Sequence, residues 1–233
     1  MMRALLFAMI AWQVPSNLLA EYPPKRELLM NLLELKSIRN ELNFTPEQTM
    51  AFVKVYQHYR QKIDEGRKKC LEMINNGKDK KEADSEFLLP IYKASDESFK
   101  QVLNPDQIKR IGEIQNQQQG YPALAEPTVI QSLALTDEQK KLFKSIANDA
   151  KEEVSTYERD FRKRFPSDFY SQELKEAITA GMMLTVTVDR WALKMMVSHL
   201  TDKQKQAWQE LLGKPFTIPA HDPGIGPELD PQK

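Results

Sequence analysis

Apolar residues recur along most of this chain at the spacings of one helical face, and four short segments set the phase of that pattern. Phe44-Thr45-Pro46-Glu47-Gln48, Leu103-Asn104-Pro105-Asp106-Gln107, Leu135-Thr136-Asp137-Glu138-Gln139 and Leu200-Thr201-Asp202-Lys203-Gln204 each place a Thr or Asn behind an apolar residue, with Gln three positions on. The Thr or Asn can accept a hydrogen bond from a backbone N–H of the first helical turn, while the Gln reaches back to the cap residue's own N–H. That pair of bonds is a capping box. Two boxes add Pro at the first helical position, and all four carry Asp or Glu in the first turn, where the helix dipole favours negative charge. Thr45, Gln48, Asn104, Gln107, Thr136, Gln139, Thr201 and Gln204 are therefore read as helix-capping residues.

Seven positions after each cap stand Phe52, Ile111, Phe143 and Trp208, and ten positions after it Val55, Ile114, Ile146 and Leu211. All eight are apolar and lie on one helical face, so each box opens an amphipathic helix with the same buried stripe. A hydrophobic staple is expected only between Leu103 and Ile108, because the other boxes carry polar residues at the fourth helical position. Thr45 and Thr136 are 91 positions apart and Asn104 and Thr201 are 97 apart, whereas neighbouring boxes alternate at 59, 32 and 65. This long-short-long rhythm predicts a tandem duplication of a two-box unit.

The remaining pattern predicts a helix from about Lys25 to Leu42, one from Pro46 to about Asn75 ended by Asn76-Gly77, and one from near Ala83 that stops before Asn104 and contains Pro90. A third follows from Pro105 to Gln119. The second copy repeats this with a short helix near Thr128, a long one from Asp137 to about Arg164, a break at Pro166-Ser167, a long one to His199 and a last one from Asp202 to Leu212. Leu184-Thr185-Val186-Thr187-Val188 has the composition of a strand, yet Leu184, Val188, Trp191 and Met195 keep helical spacing and are assigned to a helix. The expected fold class is all-α: long antiparallel helices in a duplicated unit, forming a cradle-like or bundle-like single domain. Residues 21–120 make the first repeat and 121–213 the second. Residues 214–233, with five Pro in twenty positions, read as an extended or disordered tail.

Composition supports this picture and narrows the function. Eight Gly in 233 residues and an abundance of Lys, Glu, Gln and Leu suit helices. The formal net charge is zero and basic residues alternate with acidic ones, so the footprint of a nucleic-acid-binding protein is missing. Arg3, the apolar run Ala4 to Trp12 and Leu18-Leu19-Ala20 have the form of a secretory signal peptide, residues 1–20, cleaved after Ala20. The run is too short to span a bilayer, so a periplasmic or secreted protein without stable membrane insertion is expected. Cys70 is the single cysteine and lies on the stripe Tyr59, Ile63, Cys70 and Ile74. It is read as a buried thiol, with a bridge between two chains left open.

No catalytic constellation can be assembled from this sequence. His58, His199 and His221 are scattered, and there is no helical His pair, Gly-rich phosphate loop or nucleophile elbow, so a non-enzyme without cofactor or metal is expected. Met182, Met183, Met195 and Met196, and the aromatic residues around Pro166, offer the flexible surface that promiscuous binding uses, though core packing is the expected role of most of them, because helices this long need such stripes. Phe169 and Tyr170, in the expected loop, are the candidate client-binding residues.

The boxes Leu135 to Gln139 and Leu200 to Gln204 resemble in full the motif of the LTxxQ-motif family of periplasmic helical proteins (Spy- and CpxP-like), and the first two boxes resemble it with Phe44 for Leu and Asn104 for Thr. The resemblance covers about half of the mature chain and implies a chaperone-like or envelope-stress-related protein that binds partly unfolded protein without ATP. In that family a helical dimer forms a cradle; the duplication here suggests a monomer with internal pseudo-symmetry, with a homodimer as the other arrangement. A scaffold or ligand-binding module recognising one defined partner is the alternative function. Because a cap contributes about 1 kcal/mol, Thr136→Ala is expected to lower the melting temperature by several degrees. An unchanged thermal transition would show that the box carries no weight.

Overall fold

The computed structural model describes residues 29–165 and 172–222. Among them every regular element is helical. The chain divides into two compact units, one comprising residues 29–115 with 214–222 and the other 116–213. The segment read as a signal peptide lies outside the described residues.

The first unit holds α1 (Leu29–Glu34), α2 (Lys36–Glu41), α3 (Pro46–Asn75), α4 (Lys80–Lys100) and most of α5 (Pro105–Gln119). The second holds a 3-10 helix (Tyr121–Ala125), α6 (Pro127–Ser132), α7 (Asp137–Arg164), α8 (Gln172–Ser198) and α9 (Asp202–Leu212). In each unit the two long helices pack along one another, α3 on α4 and α7 on α8.

α3, α5, α7 and α9 begin at the residue after their caps, as the boxes predict. The stripe behind the caps is the core: Phe52, Ile111, Phe143, Trp208, Ile114 and Ile146 are buried, while Val55 and Leu211 pack partly buried against the same clusters. α3 ends ahead of Gly77 and α5 at Gly120, whose φ values of 86° and 64° lie in the left-handed region that glycine enters without cost. Residues 184–188 are helical, because burial of Val188 fixes a helical face in preference to strand composition. The staple expected at Ile108 does not cover that side chain, which remains 41% exposed.

Backbone hydrogen bonds recur at the offset that separates the first and third boxes. Leu42 N–H donates to Ile38 O at 2.9 Å, Asn43 to Asn40 O at 3.0 Å and Phe44 to Arg39 O at 3.1 Å. The same three bonds recur 91 positions on, from Leu133 to Val129 O, Ala134 to Gln131 O and Leu135 to Ile130 O. Asn43 and Ala134 are the two non-glycine residues with positive φ among those described, at 51° and 47°. Each unit thus ends a six-residue helix in a left-handed residue and turns within two residues into the next cap.

Two expectations are corrected and a third is narrowed. The helix expected from about Lys25 to Leu42 is, over its described part, the separate helices α1 and α2, because Leu35 is extended (φ −76°, ψ 126°). Arg39 Nη1 donates to the carbonyls of Leu33 and Glu34 at 2.6 and 2.7 Å, satisfying acceptors that the break releases. α4 starts at Lys80 instead of near Ala83, since Asp79 accepts from the N–H groups of Lys81 and Glu82; the pattern Asp79-Lys80-Lys81-Glu82 is a box-like start. Of the two readings of the tail, extended and disordered, residues 214–222 take the extended one and are held in place. Phe216 and Ile218 pack against the core of the first unit, and Asp222 accepts from the N–H groups of Lys36 and Ser37 at 2.8 and 2.9 Å.

Close approach of α3 and α4 requires Gly66. A β-carbon built there meets Ile91 Cδ1 at 2.7 Å and Leu88 Cδ2 at 3.0 Å. Gly66→Val is expected to cost about 1–3 kcal/mol through overpacking, measured by urea unfolding; full retention of stability would mean that the helices separate freely at this point.

Candidate functional site

The four box glutamines do more than cap. Each Oε1 accepts from its own cap N–H, at 3.1 Å for Thr45, 2.9 Å for Asn104, 3.0 Å for Thr136 and 2.9 Å for Thr201. That leaves the amide nitrogen with two donors, and both are used. Gln48 Nε2 donates to Gln107 Oε1 at 2.7 Å and to Val102 O at 2.9 Å, while Gln107 Nε2 donates back to Gln48 Oε1 at 3.1 Å and to Leu42 O at 2.7 Å. In the second unit Gln139 Nε2 donates to Gln204 Oε1 and His199 O, and Gln204 Nε2 donates to Gln139 Oε1 and Leu133 O. The acceptors correspond position for position between the units. Boxes far apart in sequence are in this way tied in pairs, the first to the second and the third to the fourth.

The capping residues read from the sequence thus also join helices far apart in the chain. The signal for it is the residue type. Glu caps as well as Gln at this position, but a carboxylate has no donor for a partner, and all four boxes carry Gln.

Binding candidates sort clearly by burial. Met196 is fully buried and Met195 packs partly buried in the core of the second unit, whereas Met182 and Met183 are exposed, Met183 at 68%. With Val186, also exposed, they occupy an arc of about 100° on α8, opposite the face that buries Gly181, Val188, Ala192 and Met196. Trp191, 44% exposed, stands further round the same helix. Exposed Lys175, Glu176, Asp189, Arg190 and Lys194 surround these side chains. Phe169 and Tyr170 lie outside the described residues. Along α7 and the residue that follows it, Tyr157 stacks on Phe161 and Phe161 meets Phe165 at a tilt, and Arg164 sits over the Phe165 ring at 5.5 Å.

The first unit is polar at the positions equivalent to the two methionines. With the offset of 97 that relates α4 to α8, Ser85 and Glu86 stand where Met182 and Met183 do, and the buried faces keep register from Asp84 and Gly181 to Phe99 and Met196. The fold therefore does not require methionine at these positions.

Cys70 is free and buried, with its Sγ–H donating to Ala83 O at 3.3 Å; burial and the neighbouring Asp84 carboxylate push the thiol above its usual range. Among the described residues no group of three His, Cys, Asp or Glu is placed to hold a metal ion, and no helix is long and apolar enough to cross a membrane. Comparison with protein-family models, curated proteins and solved structures gives no match.

Gln107, only 7% exposed, is the sharpest probe of the paired boxes. Gln107→Glu keeps the acceptor for Asn104 N–H but removes both donors and sets a carboxylate against Gln48 Oε1. It is expected to cost about 1–3 kcal/mol, more than the loss of one cap by Thr45→Ala, in urea unfolding followed by circular dichroism. Equal losses would reduce the glutamine pair to ordinary caps.

Proposed function

We propose that this is an exported helical protein that binds partly unfolded proteins without ATP, in a chaperone-like or envelope-stress role. The observation that supports it is the outward arc of Met182, Met183 and Val186 on α8, at positions the first unit fills with Ser85 and Glu86 or, for Val186, the half-buried Leu89. Exposed apolar side chains favour association and aggregation, so a contiguous set of them on a soluble surface calls for a use. Methionine suits varied apolar partners because its unbranched thioether chain adapts to different shapes, and the charged residues around the arc keep the surface hydrated. Export is carried by the pattern of Arg3, Ala4 to Trp12 and Ala20, and the duplicated unit favours a monomer as the working form.

The mature chain is expected to suppress the aggregation of several unrelated unfolding proteins. A version with Met182→Ser, Met183→Ser and Val186→Ser is expected to lose most of that protection at an unchanged melting temperature, because these side chains contribute little to the core. Protection of a single partner only would favour a dedicated scaffold. Full protection by the triple variant would remove the arc from the mechanism.

A further inference from the structure

The tail enters the first unit through a row of donors on one helix. Asn116 Nδ2 and Gln117 Nε2 of α5 donate to the carbonyls of Leu211 and Leu212, at the end of α9, and Arg110 Nη1 donates to Lys214 O at 2.8 Å. Arg110 is itself held by Glu41 at 2.7 Å and Glu113 at 2.8 Å. Beyond Lys214 the chain is extended: Phe216 and Ile218 turn inward onto the core while Pro215, Thr217 and Pro219 stay exposed, the alternation of a strand-like segment with one face down. Asp222 closes the path on the N–H groups of Lys36 and Ser37.

Two features separate this segment from ordinary core. Phe216 and Ile218 are only partly buried, and the segment makes no regular secondary structure of its own. The receiving surface also belongs to one unit only. At the offset of 91 Lys36 becomes Pro127, which has no N–H to offer a carboxylate, and at the offset of 97 Arg110 becomes Ala207. The duplicated framework folds without these groups, so they mark a specialisation of the first unit toward holding an extended peptide.

We propose that the face of the first unit beneath residues 214–222 is a binding site for an extended protein segment with an aromatic residue, an aliphatic residue two positions on and an acidic residue four positions after that, and that the tail occupies it in cis as a built-in competitor. This deepens the client-binding reading and rests on it. Pro215 and Pro219 hold the tail near its docked conformation, so little entropy is lost on docking and little is regained on release. A segment of the same chemistry presented by a client gains access in proportion to the fraction of molecules whose tail is undocked.

The test uses the full chain and a fluorescent peptide of residues 214–222, Lys-Pro-Phe-Thr-Ile-Pro-Ala-His-Asp. A release variant carrying Phe216→Ser, Ile218→Ser and Asp222→Asn is expected to bind the peptide about ten-fold or more tighter than the unaltered chain, since the competitor is gone. A peptide with Ser for both Phe and Ile is expected not to bind either protein. Equal binding by the two proteins, or loss of helical signal in the release variant, would make the tail a fixed part of the core and overturn the proposal. In the unaltered chain the amides of Lys36 and Ser37, held by Asp222, are expected to exchange with solvent well ahead of core amides such as Ile63; exchange at the core rate would overturn it as well. If peptide capture fails while the unaltered chain still suppresses aggregation, this inference falls and the chaperone reading stands. If capture succeeds with no protection of unfolding proteins, the site is real and the chaperone reading falls.

Discussion

A primary amide at the third position of a helix carries one acceptor for the cap's N–H and two donors that point away from it. In this protein the surplus donors of one box reach the box that opens another helix, 59 positions away in the first unit and 65 in the second. Each amide oxygen then receives two hydrogen bonds, and each amide nitrogen gives one to its partner and one to a backbone carbonyl. The geometry of the rest follows. With two helix starts fixed together, the apolar residues seven and ten positions behind the caps enter one shared core cluster in each unit. Gln107 is nearly buried, so an unmatched donor or acceptor there would carry a desolvation cost of about 1–3 kcal/mol, which discourages other pairings of the helices.

At equivalent positions the two units differ, and the differences run both ways: the second unit has Lys141, Lys144, Asp189 and Lys205 where the first has Met50, Val53, Tyr92 and Ile108. The first unit in turn carries polar or charged groups at other positions: Arg39 where the second has Ile130, Tyr56 for Ala147, Glu34 for Ala125, Asp84 for Gly181 and Arg110 for Ala207. Arg39 is buried over the Phe52 ring at 5.6 Å and serves the broken helix ends of α1 and α2. Glu34 hydrogen bonds with Tyr56; burial raises its carboxyl above the usual range, and Arg60 and Arg39 pull against that rise. The second unit kept simpler apolar contacts at these points and placed its unusual residues on the surface of α8.

Legibility from sequence followed the reach of each interaction. The starts of α3, α5, α7 and α9 could be read to the residue because capping joins positions three apart, and the core stripe because helical periodicity is local. The Gln–Gln links could not be read in the same way, although the uniform choice of Gln over Glu was a clue to them. The break at Leu35 was hidden for the same reason: one of its supports, Asp222, is more than 180 positions away. For the tail, the prolines forecast an extended backbone over residues 214–222 but say nothing about whether that backbone finds a surface. Of the methionines, periodicity alone could not distinguish Met196 from Met183, since the helix that carries them has apolar residues on more than one face.

The two surfaces without counterparts, the methionine arc of one unit and the tail-covered face of the other, are related by what duplication makes possible. A single-copy helical hairpin that exposes apolar side chains risks its own solubility and folding. Two copies built on one framework allow the hazards to be managed separately: one copy carries an open, adaptable surface ringed by charge, while the other keeps its apolar face under a segment of its own chain. That segment is held by a few hydrogen bonds and two partly buried side chains, each contributing on the order of 1 kcal/mol, which is strong enough to cover the face in the resting protein and weak enough to yield to a competing chain. The proline spacing that made the tail look structureless is then what allows it to dock and leave without refolding.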